Sequence, residues 1–457
     1  MDGGVLLEIM ALFVRELALF AAVGFLVLGT SDLLVDFIWI GLKLKRFILR
    51  IRSASLDSLP QPDKPGRLAI FVPTWREEEV IGQMLARALA VWDGADFRIF
   101  VGCYPNDPAT VAAVTAIGDE RIELVIGAGD GPTTKADNLN ALWRALRTAE
   151  ARGEAFKAVV LHDAEDVVHS AELALFDRMI ERFDLVQLPV LPLPDPTSRL
   201  TAGSYLDEFA ESHGKELVVR EALGAGIPSA GVGCAVSREA IGLLASDRDE
   251  PFDADSITED YEMGLKLHAM GRRGAFVRLP PGQGGVVVAT REHFPAYWRD
   301  AVTQKSRWIA GIALSGWDRL GWSGGLAERW MRLRDRQALL AALLLVAAYV
   351  ALLAMPLLGV AAAWFGHPVL LVTPLLATLM SIAAGLLVWR LTLRFAFVAA
   401  SYGVVEGLRA IPRVVVSNAI AIVAARLALA RYGRARRTGT ADWGKTAHTF
   451  PKQAPAE

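Results

Sequence analysis

The sequence predicts an α/β domain on a mostly parallel sheet, inserted between transmembrane and interfacial α-helices. Three observations predict it. Short apolar runs alternate with helical patterns from about residue 56 to 335, the rhythm of a parallel sheet with helices on both faces. Two charge-free stretches near the C-terminus are long enough to cross a bilayer. The composition is split between two solvents: of 457 residues, 53% are hydrophobic and 21% charged, with a mean hydropathy of +0.34. A formal net charge of −2 gives no general attraction for nucleic acid. The two cysteines, Cys103 and Cys234, form no regular framework, which fits a reducing compartment.

In chain order, residues 1–55 read as an N-terminal transmembrane and juxtamembrane helix. Leu17–Gly29 is apolar, Asp32 and Asp36 interrupt, and Phe37–Leu42 is apolar again. One span falls between Ala11 and Ile40. The start carries no basic cluster and the apolar region begins late, unlike a cleaved signal peptide. Asp32 and Asp36 share a helical face. Acids within a span often serve function; here the first reading is that they mark the membrane interface. Residues 336–394 read as a transmembrane hairpin. Ala338–Phe365 is uncharged over 28 residues and Pro368–Trp389 over 22, with a turn at Gly366-His367-Pro368.

Basic residues set the orientation. Lys43, Lys45, Arg46, Arg50 and Arg52 follow the first span; Arg329, Arg332, Arg334 and Arg336 precede the hairpin; Arg390 and Arg394 follow it. The positive-inside rule puts all three groups, and residues 56–335 with them, in the cytosol. Val414–Ala430 contains Asn418 and Arg426 and is short and polar for a span. Residues 395–437 therefore read as interfacial or re-entrant helices, with a second hairpin as runner-up. Arg431, Arg434, Arg436 and Arg437 would meet anionic headgroups of membrane lipid. Residues 438–457 are left as a cytosolic tail, with no regulatory domain after the membrane region.

Within the cytosolic region, Leu68–Val72, Phe97–Gly102, Ile122–Ile126 and Ala158–Leu161 read as strands, and Val80–Val91, Asp107–Ile117 and Thr134–Ala149 as helices. Ligands of such sheets collect beyond the carboxyl ends of the strands. After the first strand comes Pro73-Thr74-Trp75-Arg76-Glu77, where Thr74 and Glu77 could equally form a capping box. After the second come Asn106 and Asp107, either of which could cap a helix. After the third, Lys135 stands at a helix start, where the dipole disfavours a cation; an anionic partner is implied. After the fourth comes His162-Asp163-Ala164-Glu165-Asp166. Acids so close repel unless a cation or solvent relieves them, and carboxylates are the ligands expected of Mg²⁺ or Mn²⁺. The bland reading is a solvated acidic loop.

Two further motifs lie closer to the hairpin. Thr258-Glu259-Asp260-Tyr261 opens a helical pattern whose cap Thr258 could supply, placing Asp260 where the dipole favours its ionised form. An ionised carboxylate beside a sugar hydroxyl can act as general base. In Gln304-Lys305-Ser306-Arg307-Trp308, Arg307 can grip phosphate oxygens and Trp308 offers a flat apolar face. A juxtamembrane anchor is the alternative for both.

Together these motifs resemble the processive family-2 glycosyltransferases: cellulose, chitin and hyaluronan synthases. Asp163-Ala164-Glu165 is similar to that family's acid-x-acid metal motif, Thr258-Glu259-Asp260 to its base motif, and Gln304-x-x-Arg307-Trp308 to its third motif, with Lys135-Ala136 ahead of them. The resemblance covers about Leu56 to Trp322 plus the flanking membrane layout. A finer resemblance is to bacterial inner-membrane glycosyltransferases associated with bacteriophage adsorption receptors, on Pro73-Thr74-Trp75-Arg76-Glu77, His162–Asp166 and Trp443-x-Lys445-Thr446.

The resemblance implies a GT-A, Rossmann-like domain, a UDP-sugar donor and a Mg or Mn cation. It implies Thr74, Glu77 and Asn106 or Asp107 around the base and ribose. Asp163 and Glu165 hold the metal and diphosphate, and Lys135, Gln304 and Arg307 balance phosphate charge. Asp260 takes the acceptor proton, with Glu259 beside it as the second catalytic residue. Gly233, Cys234 and Trp308 face the acceptor, although the small residues could equally be core packing. His293 is either a metal contact or structural. The chain departs from the pattern in having Glu165 as the second acid, a role that Asp166 could take instead, and in having few spans for a polymer exporter. Either an oligomer or an outer-membrane partner completes export, or the enzyme does not translocate its product.

The implied activity is inverting transfer of an N-acetylhexosamine to a growing saccharide at the inner membrane, with the catalytic domain in the cytosol. Transfer of one sugar to a lipid-linked acceptor such as polyprenyl phosphate is the alternative. A non-catalytic membrane scaffold is a further one.

Overall fold

In the computed structural model, which describes residues 3–51, 54–438 and 449–451, the alternation of strand and helix appears where the apolar runs put it. After a long N-terminal helix, α1 (Gly3–Ile48), come β1 (Leu68–Pro73), α2 (Ile81–Val91), β2 (Phe97–Cys103), α3 (Pro108–Thr115), β3 (Ile122–Ile126), α4 (Lys135–Ala151) and β4 (Ala158–Leu161). The second half is less regular: α5 (Glu172–Met179), β5 (Leu185–Gln187), β6 (Val190–Pro192), α6 (Thr201–Glu211), α7 (Leu217–Ala222), β7 (Cys234–Ser237), α8 (Arg238–Leu244), α9 (Glu259–Ala269), β8 (Gly274–Phe276), β9 (Thr290–Glu292) and α10 (Trp298–Trp308). α11 (Gly316–Leu320) and α12 (Leu326–Arg336) lead to three long helices, α13 (Ala338–Phe365), α14 (Pro374–Tyr402) and α15 (Val404–Thr438).

The main sheet has the order β3-β2-β1-β4-β7-β5-β8. β1 to β4 run parallel, whereas β7 is antiparallel to both its neighbours. A small parallel sheet pairs β6 with β9. Continuous apolar runs follow from burial on both faces. In β1, Ile70 and Val72 pack under α2 with Trp92 and Phe176, while Ala69 and Phe71 pack under α4 with Phe100 and Trp143. The strand order reverses between β1 and β4, so a crevice opens beyond their carboxyl ends.

Four helices, α1, α13, α14 and α15, are long and apolar enough to cross a membrane. At 1.5 Å per residue, α1 is about 69 Å long, against a hydrocarbon core of about 30 Å. Its surplus docks on the α/β domain: Val35 packs with Val219, Ala225 and Met331, and the Trp39 indole donates to Gly214 O at 3.2 Å.

The C-terminal helices differ from the sequence expectation in their limits. The hairpin turn is longer than Gly366-His367-Pro368, because α14 starts at Pro374. Thr373 caps it, its hydroxyl accepting Leu376 N–H at 3.2 Å, and Pro374 takes the first helical position. α14 then runs past residue 394 to Tyr402, where Gly403 at φ 89° ends it. In place of several interfacial helices, there is one helix, α15. It touches the α/β domain near both ends: Arg413 pairs with Asp207 of α6 at 3.1 Å, and the Tyr432 hydroxyl donates to Asp318 of α11. Arg52 and the motif Trp443-x-Lys445-Thr446 lie outside the described residues.

Candidate active site

The segments leaving the carboxyl ends of the strands build the site. After β1, the Thr74 hydroxyl donates to Gly102 O at 2.7 Å and is buried. The chain stays non-helical to Val80, with Arg76 at φ 55°, so the expected Thr74/Glu77 capping box does not form. Thr74 instead ties the β1 turn to β2. Glu77 donates its N–H to Thr110 Oγ1 at 2.9 Å and, with Trp75, reaches the central cavity. Asp107 caps α3 and also accepts Arg76 N–H at 2.6 Å. Asn106 grips Gly131 through both amide atoms, at 2.7 and 2.8 Å. Thr74, Asn106 and Asp107 thus shape the wall from behind rather than line it.

After β3, Thr134 caps α4, its hydroxyl accepting Asp137 N–H at 3.1 Å. Lys135 stands in the first turn, and its anionic partner is Asp163, at 2.5 Å. Burial opposes charge on Lys135, but Asp163, Glu259 and Asp260 outweigh it and hold its pKa above the ordinary value.

The acidic loop after β4 corrects the expectation drawn from repulsion. His162 is fully buried between Asp166, 2.7 Å from Nδ1, and Glu172, 2.6 Å from Nε2. Burial disfavours the imidazolium, yet Glu172 and Asp166 raise His162 to about 10. The chain itself therefore supplies cations, His162 for Asp166 and Lys135 for Asp163, and the cluster does not require a metal for relief. Asp166 is committed beneath the loop, whereas Asp163 and Glu165 line the cavity. Among the described residues, no three acid, His or Cys side chains group tightly enough to hold a metal alone. Two hard carboxylates fit a cation whose remaining ligands are phosphate oxygens and water.

The opposite wall comes from α9 and α10. Thr258 occupies the N-cap position of α9, but its buried hydroxyl makes no cap bond and has no hydrogen-bond partner among the described residues. Asp260 Oδ1 accepts Tyr261 N–H at 2.7 Å. Burial raises Asp260, with Lys135 and Arg307 opposing. Burial and then the Asp260 charge push Glu259 up to about 8, again against Lys135. Gly231, at φ 76°, is required here: a Cβ would lie 2.5 Å from Asp260 Oδ2. On α10, Gln304, Arg307 and Trp308 share one face and line the same cavity. Gln304 Oε1 is buried without a partner among the described residues. Trp308 rests on Tyr205, Phe209 and Phe294. A π-helical turn, Ile309–Ser315, continues α10, and a Cβ at Gly311 would come within 2.5 Å of Thr258 Oγ1. The two motif helices are keyed together at that contact.

Three sequence-derived positions fall elsewhere. Gly233 and Cys234 pack inside: a Cβ at Gly233 would strike Thr290 Oγ1 at 2.2 Å, and burial pushes the Cys234 thiol up to about 12. Their segment reaches the cavity through Ala230 and Val232. His293 is not among the cavity residues.

The cavity holds about 610 Å³ and continues past the motifs to α1, α12 and α14. Its far end was not read from the sequence. Asp36 is buried against Lys215 at 2.5 Å, and Lys215 against Glu211 at 2.8 Å. Glu211 meets Arg390 at 2.9 Å, and Asp32 meets Arg334 at 2.9 Å. Asp32 and Asp36 are thus ion-pair partners of Arg334 and Lys215 of the α/β domain. Their spacing was the visible signal. The acidic-basic run Asp207–Glu216 was the unread one.

Lys135, Asp163, Asp260, Arg307 and Trp308 thus line one cavity beyond the carboxyl ends of the parallel strands, where α/β sheets bind their ligands. The model described as "Glycosyltransferase like family 2" matches residues 65–311. The chain belongs to that family, and its fold is GT-A. It is 36% identical to bacteriophage adsorption protein B of Escherichia coli K12 and to bacteriophage N4 adsorption protein B of Escherichia coli O157:H7, over 96% of its own length. It spans 62% of the length of those relatives. Among solved structures it is similar in fold to the mannosyltransferase PcManGT of Pyrobaculum calidifontis, with a TM-score of 0.50 and 18% identity, covering 93% of this chain and 99% of that one.

Proposed function

We propose that the chain moves a sugar, an N-acetylhexosamine, from a UDP-sugar to a growing saccharide with inversion at the anomeric carbon. The observation that carries this is the convergence of Lys135, Asp163, Asp260, Gln304, Arg307 and Trp308 on one cavity. Lys135 and Arg307 hold the diphosphate oxygens. Gln304, with its unpartnered amide oxygen, takes a ligand hydroxyl. Trp308 supports the acceptor ring. Asp260 accepts the proton of the acceptor hydroxyl as that oxygen bonds to the anomeric carbon. The bond from that carbon to the phosphate oxygen breaks on the opposite face, which inverts the centre. Asp163 and Glu165 would hold Mg²⁺ or Mn²⁺, which when bound offsets charge on the departing diphosphate. The Pyrobaculum calidifontis mannosyltransferase was solved with GDP-Man and Mn²⁺, so both UDP- and GDP-sugars belong in a donor screen.

We place the enzyme in the bacterial inner membrane, with the α/β domain cytosolic. α1, α13 and α14 cross, and α15 lies on the cytosolic surface. The basic residues flanking α1, α13 and α14 support this. A second reading has a specific observation behind it. The cavity continues to the membrane helices, which suits an acceptor delivered from the bilayer on a lipid phosphate. Mass analysis of the product decides: a lengthening saccharide supports the first reading, a lipid carrying one sugar the second.

A further inference from the structure

The side chain next to Asp260 is tied to the root of the membrane hairpin. The Tyr261 hydroxyl donates to Asp335 Oδ2 at 2.7 Å. Asp335 lies on α12, three residues before Ala338, where α13 begins. Its carboxylate is fixed from a second direction, since Arg220 Nη1 donates to both oxygens at 2.9 Å. Arg220 is anchored in turn, its Nε donating to Gly226 O at 2.6 Å. At the other end of the same tyrosine, its backbone N–H is donated to Asp260 Oδ1. One residue thus connects the Asp260 carboxylate to α12, and both Tyr261 and Asp335 face the cavity.

The first turn of α9 is also held at Glu262, which accepts from the Ser256 hydroxyl at 2.7 Å and from Arg319 Nε at 2.7 Å, but those bonds lie on the residue after Tyr261. Thr258 makes no capping bond, so the usual restraint on a helix start is absent. Gly231 confines Asp260 from one side by backbone contact. The Tyr261–Asp335 bond is the restraint from the other side. Placement errors of about 1 Å in a reacting group can cost about a hundredfold in rate, so a tether this close to the base bears on turnover.

We infer that Asp335 is a positioning residue for Asp260, acting through the Tyr261 hydroxyl, so that the seating of the membrane hairpin sets the aim of the base. This rests on the role of Asp260 proposed above. A purely structural Asp335 would anchor α12 to Arg220 and leave turnover per folded molecule unchanged.

The test uses the full chain in nanodiscs, with nucleoside diphosphate release measured over UDP-hexoses, UDP-N-acetylhexosamines and GDP-mannose. Tyr261→Phe deletes one hydroxyl and keeps the Arg220–Asp335 pair. We expect kcat to fall at least tenfold, with donor KM within twofold and the melting temperature held. Asp335→Ala should match it, and Asp335→Asn should recover most of kcat, because an amide oxygen still accepts the phenol proton. The double variant Tyr261→Phe/Asp335→Ala should be no slower than the slower single one. Hydrogen exchange supplies a readout free of activity: amides of residues 259–263 should exchange at least tenfold faster in Tyr261→Phe. Wild-type kcat in Tyr261→Phe overturns the inference while leaving sugar transfer intact. A wild type inactive on every donor contradicts the functional reading instead, and the exchange measurement then decides the tether, with unchanged rates overturning it.

Discussion

Asp260 must lose its proton before it can take one from an acceptor. Burial raises its pKa and Lys135 opposes that rise, so kcat should climb with pH through a limb above the ordinary aspartate range. Replacing Lys135 by Met removes the opposing cation. The limb should then move to higher pH, measured as kcat at saturating donor; a limb that stays put or moves down contradicts this electrostatic account. Asp260→Asn should lower kcat by about 10²- to 10⁴-fold, the range for general-base catalysis, while nucleotide binding persists. A second titration concerns stability. His213 is buried and pushed down to about 3 by burial and by Arg278, and its Nδ1 accepts Val190 N–H at 2.9 Å. The unfolded chain takes up a proton below the ordinary value of 6.5 that the folded chain refuses. Stability is therefore complete above 6.5 and declines as pH falls toward 3. Melting temperatures at pH 7 and 5 should show that decline, and His213→Asn should flatten it. At this scale the residue types with charge and order were legible: Lys135, Asp163, Asp260 and Arg307 all face one cavity. What could not be read was which charges cancel. His162 relieves Asp166 from between two carboxylates, a pairing set by the depth of β4 rather than by spacing. Gly233 and Cys234 were ambiguous in sequence for the same reason: small residues serve a wall or a core equally well.

Among the elements, α15 carries the sharpest expectation. Its contacts to the α/β domain at Arg413 and Tyr432 are 19 residues apart, about 28 Å along a helix. A spanning helix would carry those ends to opposite sides of the bilayer. A reporter fused after residue 438 should therefore read as cytosolic; a periplasmic signal would make α15 a fourth span. Arg413 and Asp207 are both fully buried. Removing one partner leaves an uncompensated buried charge, costing about 3–5 kcal/mol. Arg413→Met should lower the thermal midpoint accordingly, and Asp207→Leu added to it should restore part of the loss. The strands were the most legible elements, since β3 and β4 match their apolar runs end to end. Helix starts were less so. Pro73–Val80 reads as a helix approach yet stays irregular, because Thr74 is spent on β2 and tertiary contact overrides local capping. α14 outran its apolar stretch because Arg390 and Arg394 find partners in Glu211, so the helix continues past the hydrophobic limit into the α/β domain.

For the whole molecule, the membrane helices and the α/β domain share one cavity. Asp36 of α1, Lys215, Glu211 and Arg390 of α14 form a continuous chain of ion pairs beside it, buried except at Arg390. The long apolar helices, the mostly parallel sheet and the order of motifs were open to sequence reading, since each arises from local pattern. The joining of site to membrane was not, because it depends on pairs far apart, such as Asp36 with Lys215. In the function proposed above, this cavity transfers a sugar by base catalysis at Asp260, with a divalent cation at Asp163 and Glu165 offsetting diphosphate charge. Nucleoside diphosphate release by the full chain in nanodiscs tests it most directly, over a panel of UDP- and GDP-sugars with manganese or with chelator. Release is expected with manganese from at least one donor, with its loss on adding chelator, in Asp163→Ala/Glu165→Ala and in Asp260→Asn. Equal release with chelator and with manganese, or full release from Asp260→Asn, would contradict it.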